Sequence, residues 1–287
     1  MILIGVLVVL AAFTAAAQVT AFIFPEKLEA GRAFSVSTSG SGSATMYIVG
    51  PGGAFQRKFQ LGERVAFGSD DLHHAGHYIA ILETGNSLEA TQFDVSASAQ
   101  PGKLSFLAKP SRLPVSVSDG ISGVAYVFDV FGNLVSQPEP VSFELSDATG
   151  RTQSRSATSR NGVAWLKMNS APKAGSAHFQ AAAANIHEQR VIQQVPGDPC
   201  SIRVTARSAN NQRIAVETDP VRDCNGNPVP DGTIVTFTES YAGSQTTIDV
   251  PLKRGVARTE LPAARGAVIS VATGVVMGNE IHWSGGE

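Results

Sequence analysis

The stretch from residue 223 to residue 237, DCNGNPVPDGTIVTF, contains the local signals that decide the fold. Gly226 and Asn227 form a turn signal, because positive φ costs Gly nothing and is tolerated by Asn. The run Ile234–Phe237 then alternates apolar and polar side chains, which is the period of a strand with one buried face. The stretch therefore predicts a turn that leads into a strand of a half-buried sheet.

The same pattern occurs earlier in the chain, with its landmarks in the same order. The step from Gly132 to Gly162 is 30 residues, and the step from Gly226 to Gly255 is 29. The matching pairs are 124–129 with 214–219, Gly132-Asn133 with Gly226-Asn227, 141–143 with 235–237, and 161–164 with 254–257. Such a repeat indicates one structural unit used twice.

Outside this repeat, short alternating runs are separated by Gly, Pro, Asn, Asp and Ser, which is typical of β-sandwiches. Examples are 34–38, 57–61, 141–145 and 234–238. The alanine-rich run Ala181–Ala184 is compatible with a short helix, but its flanks favour a strand. We predict an all-β fold of three tandem immunoglobulin-like sandwiches after an N-terminal signal segment.

Two Pro- and Gly-containing segments, 98–102 and 195–199, are predicted linkers, because few strands continue through such residues. The expected organisation is a signal peptide followed by three domains, with the boundaries 1–17, 18–98, 99–196 and 197–287. Each domain then has the length of about 100 residues or slightly less that an immunoglobulin-type sandwich needs.

Residues 103–284 resemble the bacterial immunoglobulin-like domains of the invasin and intimin type. The resemblance rests on an Asp, a Gly-Asn turn (Gly132-Asn133, Gly226-Asn227), a Val-x-Phe strand and a later Gly-x-Ala. It implies sandwiches that act as spacers or binding modules outside the cytoplasm, without catalysis. The second segment departs from the pattern with Gln137–Pro140 in place of the compact Pro-Val-Pro-Asp-Gly.

The first segment lacks that signature, but Tyr78 opens an alternating run and resembles the tyrosine corner of immunoglobulin domains. In such a corner the hydroxyl bonds back to the upstream backbone. Ala80 takes the position that holds cysteine in antibody domains, so this segment is expected to depend on apolar packing.

The chain begins with an almost wholly apolar run, and Ala15 and Ala17 have the spacing that signal peptidase accepts. We expect cleavage after Ala17 and export to the periplasm, the cell surface or the medium. No Lys or Arg precedes Lys27, and the apolar run continues to Phe24. The alternative is a retained anchor, and only an uncleaved N-terminal segment would join the protein to a membrane.

The chain has two cysteines, Cys200 and Cys224, and their even number in an exported protein predicts one disulfide. A hairpin formed by residues 200–206 and 212–218 would bring them together. The alternative is two free buried thiols.

The composition argues against several functions. The net charge is −2 and there is no basic stretch, which argues against nucleic-acid binding. No nucleophile, phosphate-loop or zinc-protease motif occurs, and no cofactor is expected. His73 and His77, beside Asp70 and Asp71, are weak metal candidates, but an exposed loop is the favoured interpretation.

Two further pairs of residues leave alternatives open. Asp129 and Asp219 each precede a turn and either cap it or bind calcium. Trp165 and Trp283 are either outward anchors or packed under a loop or a neighbouring domain, and packing is favoured. We predict a non-enzymatic adhesion, binding or spacer protein of the cell envelope whose partner is a protein or a carbohydrate. The alternative is a metal-dependent or hydrolytic enzyme with its site in the sandwich loops.

Overall fold

The computed structural model describes residues 22–85, 87–209 and 213–285, and within these ranges it contains 26 strands and no helix. The all-β prediction is confirmed, and the alanine-rich run lies in a strand, Gly175–Ala183. The predicted signal segment 1–17 lies outside the described residues. No helix that could cross a membrane occurs in the described ranges.

The chain forms two compact units. The first contains residues up to Gln100 together with Asp129–Ser136, and the second contains Pro101–Phe128 and everything from Gln137 onward.

The first unit is a two-sheet sandwich. Its sheet orders are β1-β3-β6 and β2-β8-β7-β4-β5, with β2 parallel to β8 and the other pairs antiparallel. The strands are β1 Phe22–Ile23, β2 Lys27–Glu29, β3 Phe34–Thr38, β4 Ser43–Gly50, β5 Gly53–Gln60, β6 Arg64–Phe67, β7 Gly76–Thr84 and β8 Ser87–Ser96.

Aromatic rings fill the space between these two sheets. The Phe24 ring stacks on Phe93 with centroids 4.4 Å apart, and the Phe34 ring stacks on Phe67 at 4.6 Å. Ala80, at the position that holds cysteine in antibody domains, is fully buried in the same core. Packing of aromatic rings thus takes the place of an inter-sheet disulfide in this sandwich.

The second unit begins with a sandwich of the same topology. Its sheet orders, β9-β11-β14 and β10-β16-β15-β12-β13, repeat those of the first unit strand for strand, including the parallel pair β10–β16. The core contains Phe106, Phe143 and Phe179, whose ring centroids lie 5.0–6.2 Å apart. The strands are β9 Lys103–Lys109, β10 Arg112–Pro114, β11 Ile121–Phe128, β12 Pro140–Ser146, β13 Thr152–Thr158, β14 Val163–Met168, β15 Gly175–Ala183 and β16 Ile186–Val195.

A third sandwich completes the second unit. Its sheets are β18-β19-β23 and β22-β21-β24-β25, with β26 also paired to β24 and a small ladder β17-β20. Val235 and Phe237 are fully buried, as the alternation predicts. The strands are β17 Pro199–Ser201, β18 Val204–Ala209, β19 Arg213–Thr218, β20 Arg222–Asp223, β21 Ile234–Tyr241, β22 Ser244–Pro251, β23 Arg258–Pro262, β24 Val268–Thr273, β25 Val276–Met277 and β26 Ile281–His282.

The predicted linkers coincide closely with gaps between strands. Strand β8 ends at Ser96 and β9 begins at Lys103, while β16 ends at Val195 and β17 begins at Pro199. The exact domain boundaries at 98/99 and 196/197 stay predictions.

Candidate functional site: two Asp–Asn clasps and an open sheet face

The loop that follows β20 is organised by a buried carboxylate. Asp223 is 4% exposed, and its Oδ1 accepts N–H bonds from Asn225 at 2.9 Å and Asn227 at 2.8 Å. Its Oδ2 accepts bonds from the Asn227 side-chain amide at 2.8 Å and from the Gly197 N–H at 2.9 Å. The carboxylate therefore closes its own turn and also binds the linker that precedes β17.

The Asn227 side chain extends the contact to the second sandwich. Its Nδ2 donates to the Pro172 carbonyl at 2.8 Å, and its Oδ1 accepts from the Ala174 N–H at 3.0 Å. Lys173 Nζ donates to the carbonyl oxygen of Asn225 at 3.1 Å. We call this arrangement of Asp223 and Asn227 the second clasp. It joins the third sandwich to the loop between β14 and β15 of the second.

The segment Asp129–Ser136 contains a first clasp with the same bonds. Asp129 is fully buried, and its Oδ1 accepts from the N–H groups of Phe131 and Asn133, both at 2.9 Å. Its Oδ2 accepts from the Asn133 side chain and from the Ser98 N–H, again at 2.9 Å. Each bond has a counterpart in the second clasp.

Asn133 completes the first clasp within the first unit. Its Nδ2 donates to the His73 carbonyl at 2.7 Å, and its Oδ1 accepts from the Ala75 N–H at 2.8 Å. The Phe131 ring stacks on the His73 ring at 4.8 Å and lies where a Cβ of Gly31 would be. The glycine is required there, because any side chain would overlap the ring.

The clasp geometry corrects one part of the sequence comparison. Asp219, which the repeat pairs with Asp129, is exposed and has no part in the second clasp; Asp223 takes the role of Asp129. The reason is a longer connection in the third sandwich: Gly132 follows the end of β11 at Phe128 by four residues, whereas Gly226 follows the end of β19 at Thr218 by eight. The common spacing Asp-x-x-Gly-Asn, at 129–133 and 223–227, is the signal that identifies the right pair.

The electrostatics of the second clasp favour an ionised carboxylate. Burial raises the pKa of Asp223, but the bonds from the Asn227 side chain and from the N–H groups of Gly197, Asn227 and Asn225 outweigh it, so the pKa lies below its ordinary value. These bonds present N–H donors on every side of the carboxylate. That environment suits an anion and repels a cation, which argues for turn capping rather than calcium binding at Asp223.

The candidate metal ligands His73 and His77 are engaged with different partners. His73 Nε2 lies 3.1 Å from the Ser69 carbonyl oxygen, while the His77 ring pairs with Asp94 on the neighbouring strand. In the part of the chain that the structure describes, no three His, Cys, Asp or Glu side chains converge on a point.

Tyr78 has the contacts of a tyrosine corner. It is 3% exposed, and its hydroxyl donates to the His74 carbonyl at 2.8 Å. Burial raises the pKa of Tyr78, and a backbone bond at Gly52 opposes that effect in part. The bond holds the loop that also supplies the His73 and Ala75 backbone groups of the first clasp.

The predicted disulfide joins Cys200 to Cys224, with the two Cα atoms 4.8 Å apart. Its position differs from the expected one. The hairpin pairs Val204 with Thr218, and Cys200 lies instead in the β17–β20 ladder, where Pro199 pairs with Asp223. Both cysteines are exposed, and Cys224 directly follows the clasp carboxylate.

The two tryptophans have different environments. Trp283 is partly buried and packs against the core of the third sandwich. Trp165 is 65% exposed, so the favoured expectation that it packs under a loop or a neighbouring domain is wrong. The alternation of β14 points Ala164 and Met168 into the core and leaves Trp165 on the outer face of the sheet β9-β11-β14.

No protein-family model matches the sequence, and no curated protein matches it. Among solved structures, the chain aligns with InvD of Yersinia pseudotuberculosis at 11% identity and a TM-score of 0.51, over 93% of this chain and 98% of that one. It also aligns with invasin, described as a bacterial integrin-binding protein, at 10% identity and a TM-score of 0.46 over 90% of this chain. The aligned region spans 57% of the invasin structure.

A third alignment is with the FN1–FN3 domains of chicken CNTN1, at 12% identity and a TM-score of 0.37, over 90% of this chain and 94% of that one. At these identities the likeness concerns the fold and carries over no activity. The chain shares its fold with InvD, and the resemblance to bacterial immunoglobulin-like domains of the invasin and intimin type is confirmed at the level of the fold.

Proposed function

We propose that this chain is an exported, non-enzymatic protein of the cell envelope, in which tandem sandwiches act as a spacer and carry a surface for adhesion. The observation that carries the proposal is the second clasp. It provides what a spacer needs, a defined connection between successive sandwiches instead of a free linker.

The energetics of the clasp support that role. If the third sandwich swung away from the second, the Asn227 side chain would lose its bonds to Pro172 and Ala174. Water can replace such bonds, so each contributes only about 0.5–1.5 kcal/mol net. The Asp223 carboxylate also binds the Gly197 N–H of the linker, which restricts the linker itself. Several modest bonds at one point make bending costly without making it impossible.

Export is supported by the disulfide between Cys200 and Cys224, because such bonds persist in oxidising compartments. The apolar start with Ala15 and Ala17 fits the same location. We propose cleavage after Ala17, with the mature chain beginning at Gln18; retention of the segment as an anchor is the other outcome of the test below.

The enzyme alternative has less support. A catalytic site needs groups that converge on one reacting atom. The His candidates for such a site, His73 and His77, are instead bound to Ser69 and Asp94. The contacts of the described loops favour a structural and binding role.

Hydrogen exchange on the full chain tests the spacer function. Asn227→Ala removes the acceptor of the Ala174 N–H, so we expect faster exchange at Ala174 while core amides such as Phe179 keep their protection. X-ray scattering should also show a broader distribution of overall dimensions. Asn185→Ala, at an exposed residue in the turn between β15 and β16, is the matched control. Unchanged exchange at Ala174 and unchanged scattering would contradict the spacer role of the clasp.

Export is tested separately, by intact-mass measurement of the protein recovered from cell fractions. The expected species lies outside the cytoplasm and begins at Gln18. A species that begins at Met1 in the membrane fraction would identify a retained anchor, and a cytoplasmic species with both thiols free would overturn export.

A further inference from the structure

The outer face of the sheet β9-β11-β14 in the second sandwich carries a continuous apolar row. Trp165 and Leu107 lie on either side of Val124 in register, so the three side chains form one rung across the sheet. Tyr126 lies two residues further along β11 on the same side. We call the outward side of these three strands the Trp165 face.

The Trp165 face is open to solvent over much of its area. Trp165 is 65% exposed and Leu107 is 50% exposed, while Val124 and Tyr126 are half-buried. Single exposed apolar residues are ordinary, whereas this row is contiguous and has a polar rim, which is the composition that interaction surfaces share.

The rim of the Trp165 face is cationic. Lys109 and Lys167 lie opposite Ser122 on one rung, and Lys103 lies at the far end, opposite Phe128. No Asp or Glu occupies an outward position on these three strands, although the whole chain has a net charge of −2. The acidic groups beside these strands are paired: Asp119, just before β11, with Arg155 at 3.6 Å, and Glu188, which accepts a bond from the β9 backbone, with Arg190 at 2.9 Å. The face is therefore complementary to an anionic partner.

The corresponding face of the third sandwich shows that the fold does not require this composition. In the sheet β18-β19-β23 the central rung places Ala215 between Arg207 and Glu260. Four of the charges on this face form ion pairs, Arg213 with Glu260 at 3.1 Å and Arg258 with Glu217 at 2.8 Å. That surface suits contact with water, whereas none of the three lysines around the exposed Trp165 ring forms an ion pair with a residue that the structure describes.

The dimensions of the face limit the kind of partner. Three strands spaced about 4.8 Å apart give a width of about 14 Å, and the six steps between the seven residues of β9, Lys103–Lys109, give a length of about 20 Å. The resulting area of about 300 Å² is well below the roughly 800 Å² that each partner buries in a standard protein–protein interface. A narrow, extended partner fits better than a globular one.

We propose that the Trp165 face binds an acidic polysaccharide, a chain of sugar rings that bear carboxylates. The axial C–H groups of a pyranose carry partial positive charge and stack on the negative face of the Trp165 or Tyr126 ring. Carboxylates along the same chain pair with Lys109 and Lys167 at one end and with Lys103 at the other. This inference rests on the proposed function, since it names the class of partner that the adhesive surface takes.

The experiment titrates the full chain with polygalacturonate oligomers, and dextran serves as the neutral polymer. The chain has two tryptophans, and Trp283 is partly buried in the third sandwich, so binding at Trp165 should change the intrinsic fluorescence of the wild type. Isothermal titration calorimetry measures the affinity of every variant, because the Trp165 variants lack that reporter. We expect Trp165→Ala to weaken binding at least tenfold and Trp165→Phe to restore part of it. The double variant Lys109→Gln/Lys167→Gln should weaken binding and reduce its dependence on salt.

Tyr241→Ala removes a half-exposed aromatic ring from the third sandwich and serves as the matched control, with binding expected to be unchanged. Circular dichroism checks that each variant is folded. The proposal is wrong if the wild type does not bind polygalacturonate, if Trp165→Ala binds as well as the wild type, or if dextran binds equally. Equal or tighter binding of poly-glutamate or single-stranded DNA would assign the face to a different class of anion.

The outcome is separable from the test of the spacer function. The Trp165 face lies within one sandwich, so Asn227→Ala should keep the polysaccharide affinity even when it loses protection at Ala174. Loss of protection with retained binding supports both inferences. A chain that behaves as expected in hydrogen exchange and does not bind polygalacturonate overturns this inference alone.

Discussion

Asp223→Asn is the most informative single change, because it keeps the size of the side chain and alters only its hydrogen bonding. The carboxylate accepts two N–H bonds at each oxygen, from Asn225, Asn227 and Gly197. An amide has one oxygen and one NH₂ group. Whichever way it turns, its NH₂ group faces two N–H donors, and both lose their acceptor.

The expected cost follows from the burial of the site. Asp223 is 4% exposed, so water cannot readily satisfy the two orphaned donors. Each buried donor without a partner costs about 1–3 kcal/mol, so we expect the free energy of unfolding of the third sandwich to fall by roughly 3 kcal/mol. The loss is larger than that of an ordinary surface substitution, which stays within about 0.5 kcal/mol.

Urea unfolding in a Trp165→Phe background measures this effect, since Trp283 is then the one tryptophan of the chain and packs on the third core. Asp219→Asn is the matched control. Asp219 is exposed, and its backbone N–H bond to the Arg203 carbonyl survives the change. Equal losses for the two variants, or no loss for Asp223→Asn, would refute the assignment of Asp223 as the clasp carboxylate.

Three further predictions concern the same contacts. The pKa of Asp223 in the folded chain lies below the unfolded value of about 3.9. The ionised carboxylate therefore contributes its full stabilisation above about pH 3.9, and this stabilisation is lost as the pH falls through the folded pKa. The difference in unfolding free energy between the wild type and Asp223→Asn should accordingly shrink below about pH 4. Dithiothreitol should reach and reduce the exposed Cys200–Cys224 bond. Reduction should lower the free energy of unfolding of the third sandwich by roughly 3 kcal/mol, because the bond closes a loop with a sequence separation of 24. An unchanged urea midpoint after confirmed reduction would contradict this. Tyr78→Phe removes the donor to the His74 carbonyl and should lower the stability of the first sandwich by about 1 kcal/mol in calorimetry, with Tyr241→Phe as the control; equal transitions for the two would count against the corner.

The sandwich fold follows from local patterns because its core depends on alternation. Val141 and Phe143, like Val235 and Phe237, are fully buried, and the strand period alone predicts that these pairs share the inner face. The first segment has no matching motif, yet it forms the same order of strands. Its short alternating runs are enough, since the topology tolerates any apolar set that fills the space between the sheets.

The hydrogen bonds of the two clasps are harder to predict from the sequence than the strands are. The repeat comparison pairs Asp129 with Asp219, because the strands and the Gly-Asn turns align at different offsets: four more residues separate β19 from its turn than separate β11 from its own. The partners of Asn133 and Asn227 are backbone groups of distant loops, at His73 and Ala75 and at Pro172 and Ala174. Backbone groups leave no residue-specific signal in a sequence.

For Trp165 the strand alternation predicts the correct side of the sheet, but the expectation that a loop or a neighbouring domain covers that side is wrong. Alternation correctly places it on the side opposite Ala164. Whether another element covers that side depends on tertiary structure, which the strand pattern does not contain. The exposed fraction of 65% answers that question.

The use of backbone partners explains how one clasp can occur twice in loops of different sequence. Residues 73–75 are His-His-Ala and residues 172–174 are Pro-Lys-Ala, yet each loop offers one carbonyl oxygen and one N–H group at the same spacing. Both loops end in a glycine with φ of +145°, Gly76 and Gly175, which other residues rarely adopt. The requirements are thus an Asp-x-x-Gly-Asn loop on one side and a glycine-terminated loop on the other. Because these requirements involve few side chains, the outer sheet faces are free to differ, as the Trp165 face and the ion-paired face of the third sandwich do.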